Sequence, residues 1–217
     1  DKDPFALRRA ALGVVRICIQ RRLDIDLEQL LEAAAAAFDK SVHAEAATAE
    51  VFAYVMDRLR GYYLESGIAV DLFDAVLATR PTRLLDFDRR IQACRVFREL
   101  PEAQSLAAAN KRIGNILKKT DQEIAGEVDV TLLVDDAETA LAGRLEDMKR
   151  TVVPLTEAGD YTAALKQLAG LRESVDAFFD QVMVMADDEA LRVNRLSLLQ
   201  NLSGLFLRVA DLSRLQS

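Results

Sequence analysis

Apolar residues recur every third or fourth position along most of this chain, and no convincing run alternates apolar with polar residues as a half-buried strand does. That spacing gathers apolar side chains on one face of an α-helix. Four prolines and nine glycines in 217 residues leave few places to interrupt it, and abundant alanine and leucine favour it further. The expected fold class is all-α: a helical bundle of two packed helical subdomains, with residues 1–85 a helical body region and residues 86–217 a second helical domain. No repeat of fixed period is visible.

The helices are placed by caps and breaks. Asp3 caps and Pro4 opens a first helix, with Leu7, Ala11, Val14 and Cys18 on its inner face. Asp26 starts a second, carrying Leu27, Leu30 and Leu31. After an alanine-rich stretch, a helix runs from about Ala44 to Glu65 with Val51, Val55, Leu59 and Tyr62 as its stripe, and Gly67 ends it. Asp71 caps a short helix that breaks at Thr79-Arg80-Pro81-Thr82. Asp86 opens the next, with Phe87, Ile91 and Cys94 inward. Leu100-Pro101-Glu102 introduces a helix to about Lys119 with Leu106, Ala109, Ile113 and Ile116 at core spacing. Residues 120–130 read as a loop. A helix near 131–150 ends before Pro154. Asp160 caps another, residues 174–185 form one more, and Asp187-Asp188-Glu189 begins the last.

The same residues limit the chemistry. One histidine, His43, and two separated cysteines, Cys18 and Cys94, make no common zinc set, and both thiols read as reduced core residues. Neither G-x-x-x-x-G-K-[ST] nor G-x-G-x-x-G occurs. The acids at 135–138 and 187–189 sit where helices begin, as capping and the helix dipole favour. No catalytic or metal-ligating residue is assigned. No apolar run approaches the roughly 20 residues of a membrane span.

Charge is uneven. The chain carries −7 overall, which argues against general nucleic-acid binding, yet residues 79–120 hold ten Lys/Arg against four Asp/Glu. A basic segment in an acidic chain suits a restricted polyanion contact. Within it, Lys111, Asn115 and Lys118 fall at i, i+4 and i+7, flanked by Arg112 and Lys119. Lysine and arginine can neutralise phosphates, and asparagine can read base edges. The plainer alternative is a solvated face with cations at a helix C-terminus. Asn110, nearer the core side, suits a backbone contact. Arg192, Asn194 and Arg195 form a second candidate group, although the arginines can equally pair with acids. Tyr62, Tyr63, Phe178 and Phe179 lie in apolar stripes and read as core.

Several strings, in order and spanning nearly the whole chain, resemble the beta subunit of bacterial glycyl-tRNA synthetase. They are Tyr54-Val55-Met56-Asp57-Arg58-Leu59-Arg60-Gly61-Tyr62-Tyr63; Asp71-Leu72-Phe73-Asp74-Ala75-Val76-Leu77-Ala78 with Pro81-Thr82 and Asp86-Phe87-Asp88; Leu100-Pro101-Glu102-Ala103 with Ala107 through Ile113 and Asn115-Ile116-Leu117; Val175 through Asp180 with Val182-Met183-Val184-Met185; and Leu191-Arg192-Val193-Asn194-Arg195-Leu196 running to Ser213. The four-letter signature of the family's DALR-type domain is altered here to Glu189-Ala190-Leu191-Arg192.

The resemblance implies that residues 86–217 are a DALR-type helical anticodon-binding domain, and that the chain is the C-terminal third or so of the subunit, following an HD-type domain at its opening Asp3-Pro4-Phe5-Ala6-Leu7-Arg8-Arg9. It implies glycine tRNA as ligand, whose anticodons share two cytosines for a helical domain to splay and bond. A separate alpha subunit, in a heterotetramer of two alpha and two beta, would activate glycine with ATP, and this chain would bind no cofactor itself. The setting implied is cytoplasmic, with no membrane and no DNA partner. Two rivals remain: a helical scaffold for alpha–beta assembly with little RNA affinity, and an independent enzyme, against which the scarcity of His and Cys counts.

Overall fold

The computed structural model describes residues 5–120, 124 and 126–215. Ten α-helices and four 3-10 turns make up the regular structure of those residues, and one isolated backbone bridge, Asp26 to Arg83, is the only β pairing among them. The chain is all-α. It divides into two compact units, one through residue 91 and one from residue 92.

The first unit holds α1 (Leu7–Gln20), α2 (Leu27–Ala36), α3 (Thr48–Glu65), α4 (Val70–Leu77) and the start of α5 (Leu84–Arg98). The cap assigned to Asp3 and Pro4 lies outside the described residues. On α1 the buried residues are Ala11, Val15 and Cys18, while Val14 is exposed. The stripe is therefore turned by one residue from the expected one, and burial pushes the Cys18 thiol up from its usual value. Asp26 caps α2 by accepting from the Gln29 amide at 3.1 Å.

Helix α3 begins later than expected because residues 40–42 and 44–47 form 3-10 turns, with His43 left-handed between them. It buries Val55, Met56, Leu59 and Tyr63. It ends at Gly67, whose φ of +82° suits glycine; the amides of Gly67 and Ile68 reach back to the carbonyls of Leu64 and Tyr63 at 3.1 and 3.0 Å. Asp71 lies inside the first turn of α4 rather than capping it, since Ala69 occupies the cap. The core gathers where α3, α4 and α5 bring Tyr63, Phe73 and Phe87 together, with ring centroids 5.0–6.2 Å apart. Tyr63 donates its hydroxyl to Asp88 at 2.9 Å.

The second unit continues from α5 through α6 (Ala103–Lys118), α7 (Asp136–Glu157), α8 (Tyr161–Ala169), α9 (Arg172–Gln181) and α10 (Glu189–Leu207). Helix α7 packs on α8, α9 and α10, and α6 packs on α9, α10 and the 3-10 turn Leu212–Arg214. Its N-terminus is a capping box: the Asp135 side chain takes the amide three residues on, and Glu138 reaches back.

Two expected boundaries fail. Helix α7 does not stop before Pro154 but carries it inside. Proline forfeits one helical donor, yet Val152 and Thr156 are buried on either side of it, and the helix is closed by Gly159, at φ +72°, and Asp160, whose amides bond the carbonyls of Thr156 and Leu155. Helix α9 ends at Gln181, because Val182 turns extended and sends the chain into Met183 and Met185, which are exposed. Asp160 and Asp188 cap α8 and α10 as read, each accepting an amide at 3.0 Å. No helix among the described residues is long and apolar enough to cross a membrane.

Candidate nucleic-acid interface

Helix α6 owes its orientation to Leu106, Ala109 and Ile113, buried at i, i+3 and i+7. Asn110 is buried beside them, and its amide nitrogen donates to the Leu106 carbonyl at 2.9 Å. With that face turned inward, Lys111, Arg112, Asn115, Lys118 and Lys119 all fall on the exposed side. None of the four cations is in an ion pair with a described residue. Lys118 ends the helix and Lys119 caps it, so both also sit well against the negative end of the helix dipole. The result is a row of cations about two turns long on an acidic chain.

Arg112 also has a ring contact. Its guanidinium carbon lies 4.2 Å from the ring centroid of Phe179 on α9. Phe179 is half-buried and stands edge-on to fully buried Phe178, centroids 5.6 Å apart. Sequence reasoning placed Phe179 in the core and missed this role. The available signal was that two consecutive helical residues point about 100° apart, so burying Phe178 sends Phe179 towards the rim. A groove of about 710 Å³ also opens beside Lys111, with Arg98, Gln104 and Arg214 on its walls. Neither Arg98 nor Arg214 was singled out from the sequence; Arg214 lies 103 residues from Lys111 along the chain.

The second group of candidates is disposed differently. On α10, Asn194 and Arg195 are buried, and Arg192 is half-buried. Asn194 accepts from the Asp129 amide at 2.8 Å and donates to its carbonyl at 3.0 Å, pinning the segment before α7. Arg195 donates to Glu138, to Asp135 at 2.9 Å and to the Met183 carbonyl at 2.8 Å. Arg192 donates to the Ala186 carbonyl at 2.6 Å, across the turn that leads into its own helix. Their donors are spent inside the domain. The structure thus brings five of the sequence candidates to one exposed face, buries two, and leaves Arg192 half-buried and bonded within its own segment.

No group of three His, Cys, Asp or Glu side chains among the described residues could hold a metal ion. His43 is exposed, and Cys18 and Cys94 are buried and in no disulfide.

Comparison with known proteins adds what geometry does not. A family model described as "Glycyl-tRNA synthetase beta subunit" matches residues 1–78, and one described as "DALR anticodon binding domain" matches residues 106–209. Similar curated proteins are the glycine--tRNA ligase beta subunits of Aliivibrio fischeri (strain MJ11), 54% identical over 215 residues, and of Marinobacter nauticus, 55% identical over 216; each match covers 99% of this chain and 31% of the relative. The subunit of Pseudoalteromonas translucida is 52% identical over 217 residues, 100% of this chain and 31% of its own length. The chain therefore spans just under a third of the length of the relatives it matches, and over that span it belongs to the family of glycine--tRNA ligase beta subunits.

Proposed function

We propose that this chain binds the anticodon region of glycine tRNA on behalf of a glycine–tRNA ligase, supporting glycine attachment without carrying out the chemistry. The observation that carries this reading is the exposed row Lys111, Arg112, Asn115, Lys118 and Lys119, which lies within residues 106–209, the stretch matched by the anticodon-domain model. Cations spaced along one helix face contact successive phosphates, and splayed loop bases then meet neighbouring polar groups. In this reading Arg192, Asn194 and Arg195 shape the domain rather than touch RNA. ATP is used by the parent complex, an assembly of two alpha and two beta subunits in the cytoplasm, and this chain holds no cofactor.

The test is the affinity of the chain for glycine tRNA and for the same tRNA with both anticodon cytosines replaced, each at two salt concentrations. Preference for the native anticodon is expected. Replacing Lys118 and Lys119 together by alanine is expected to lower the log–log salt slope by about 1.4, or roughly 0.7 per contact on single-stranded RNA. Equal, weak binding of both RNAs would reject anticodon reading by this chain.

A second reading applies to the first unit, where one observation favours an interaction role. Leu7, Val14 and Ile17 on α1 are exposed along one side, next to Phe5 at 81% exposure. An open apolar stripe of this kind suits packing against protein, here the alpha subunit. Retention of alpha-subunit binding by a Val14→Ser, Ile17→Ser variant would count against it.

A further inference from the structure

We propose that Arg112 and Phe179 together form a stacking platform for one unstacked base of the bound RNA. This rests on the RNA reading above and gives one of its residues a role other than charge.

The geometry sets a guanidinium over an aromatic ring. At 4.2 Å from the ring centroid, the Arg112 guanidinium is in contact with the face of Phe179, well inside the range of cation–π attraction. The ring is itself held: Phe178 stands edge-on to it, and α6 and α9 are tied by the Ser105 hydroxyl, which donates to Asp176 at 2.7 Å. Arg112 is nevertheless exposed, and it is in no ion pair with a described residue. Phe179 lies against the guanidinium, and the residue as a whole stays exposed.

That arrangement is not what phosphate binding alone requires. A lysine on a solvated helix supplies the charge, as Lys111 and Lys118 do, and a ring beneath it adds nothing to a contact with a phosphate oxygen. What the layer adds is a fixed, flat, positively charged surface, and arginine planes of this kind stack nucleobases. The usual loss of freedom on ordering a long side chain is largely incurred before ligand arrives. Asn115 and Lys119 follow Arg112 at i+3 and i+7 on the same exposed face, so a base on the platform would have an amide within reach of its edge and a cation near its phosphate.

The experiment uses glycine tRNA with 2-aminopurine at single anticodon-loop positions, titrated with the wild-type chain, Arg112→Lys and Phe179→Leu. Arg112→Lys keeps the charge and loses the plane, while Phe179→Leu keeps apolar packing and loses the ring. Stacking on the platform predicts a fluorescence change at one loop position with the wild type, lost in both variants. It also predicts a fall in affinity of about tenfold with Arg112→Lys, towards the lower end of what stacking one base contributes, at an unchanged salt slope. Thermal melting of each variant like the wild type would exclude misfolding as the cause. Wild-type affinity and signal in Arg112→Lys would overturn the platform and leave the RNA reading intact. Failure of the wild type to bind glycine tRNA would overturn both.

Discussion

Arg195 of α10 and Glu138 of α7 meet as an ion pair in the interior of the second unit, with side chains 7% and 0% exposed. The pair is not isolated. The other Glu138 carboxylate oxygen accepts the amides of Val134 and Asp135 at 2.9 and 3.1 Å, closing the N-terminus of α7. Arg195 spends its remaining donors on Asp135 and the Met183 carbonyl. Four segments therefore converge on two charges: the start of α7, the loop before it, the exit from α9 and the body of α10. Burying charges is tolerable only when they are paired and hydrogen-bonded, and here each nitrogen of the Arg195 guanidinium and each oxygen of the Glu138 carboxylate has a partner.

Removing either member is expected to destabilise the domain strongly. Arg195→Ala leaves Glu138 charged in the interior, and loss of one partner of such a pair costs about 3–5 kcal/mol. Chemical denaturation followed by circular dichroism measures this directly. The double variant Arg195→Met, Glu138→Leu is not expected to recover wild-type stability, because the Val134 and Asp135 amides would lose their acceptor, at about 1–3 kcal/mol for a buried unmet donor. A loss below about 1 kcal/mol for Arg195→Ala would show that the pair is dispensable and would reopen Arg195 as a candidate for RNA contact.

This pair also marks the limit of what the sequence discloses. Caps at Asp26, Asp160 and Asp188 and the glycine stop at Gly67 are local events within five residues, and each is legible. So is the exposed row on α6, since burying Leu106, Ala109 and Ile113 dictates which way Lys111 and Lys118 point. Arg195 looked equally suitable for RNA. Its partner lies 57 residues away, and no helical period reports on that. The continuation of α7 through Pro154 was hidden for a related reason: proline weakens a helix locally, and burial of Val152 and Thr156 with closure at Gly159 outweighs it. The Arg112–Phe179 layer needed the packing of α6 on α9, which composition does not encode.

Tyr63 supports a prediction at alkaline pH. Its phenol lies among Phe73 and Phe87 and donates to Asp88, and burial first, then the Asp88 charge, pushes its pKa far above the usual value. In the unfolded chain it ionises near ~10, so the stability it contributes is complete below that pH and is lost as pH climbs past it. Tyr63→Phe is expected to cost about 1 kcal/mol at pH 8, the usual worth of one hydrogen bond. At pH 11 the wild type should have lost about 1.4 kcal/mol more, one unit of proton linkage, so the gap should close or reverse. Urea midpoints at the two pH values decide it; a gap of the same size at both would mean that the phenol ionises equally easily folded and unfolded.

The acid side is governed by a junction in the first unit. Asp26 caps α2 through the Gln29 amide and accepts the Thr82 hydroxyl at 2.6 Å, and the Leu27 amide bonds the Thr82 carbonyl at 2.9 Å. The Thr82 hydroxyl, outweighing partial desolvation, holds the Asp26 carboxyl below its usual value. A lowered pKa stabilises the folded chain above the unfolded carboxyl's value near ~3.9, and that stability is lost as pH falls through the folded one. Thr82→Val keeps the shape and removes the hydroxyl. It is expected to cost about 1 kcal/mol at pH 7, with the gap from wild type shrinking below about pH 4, where protonation removes the charge that made the bond strong. Asp26→Asn should retain most of the cap, since asparagine caps nearly as well, while abolishing the pH dependence at this site. Denaturation midpoints at pH 7 and pH 2.5 test both variants, and a Thr82→Val deficit that is undiminished at pH 2.5 would remove Asp26 ionisation from the account.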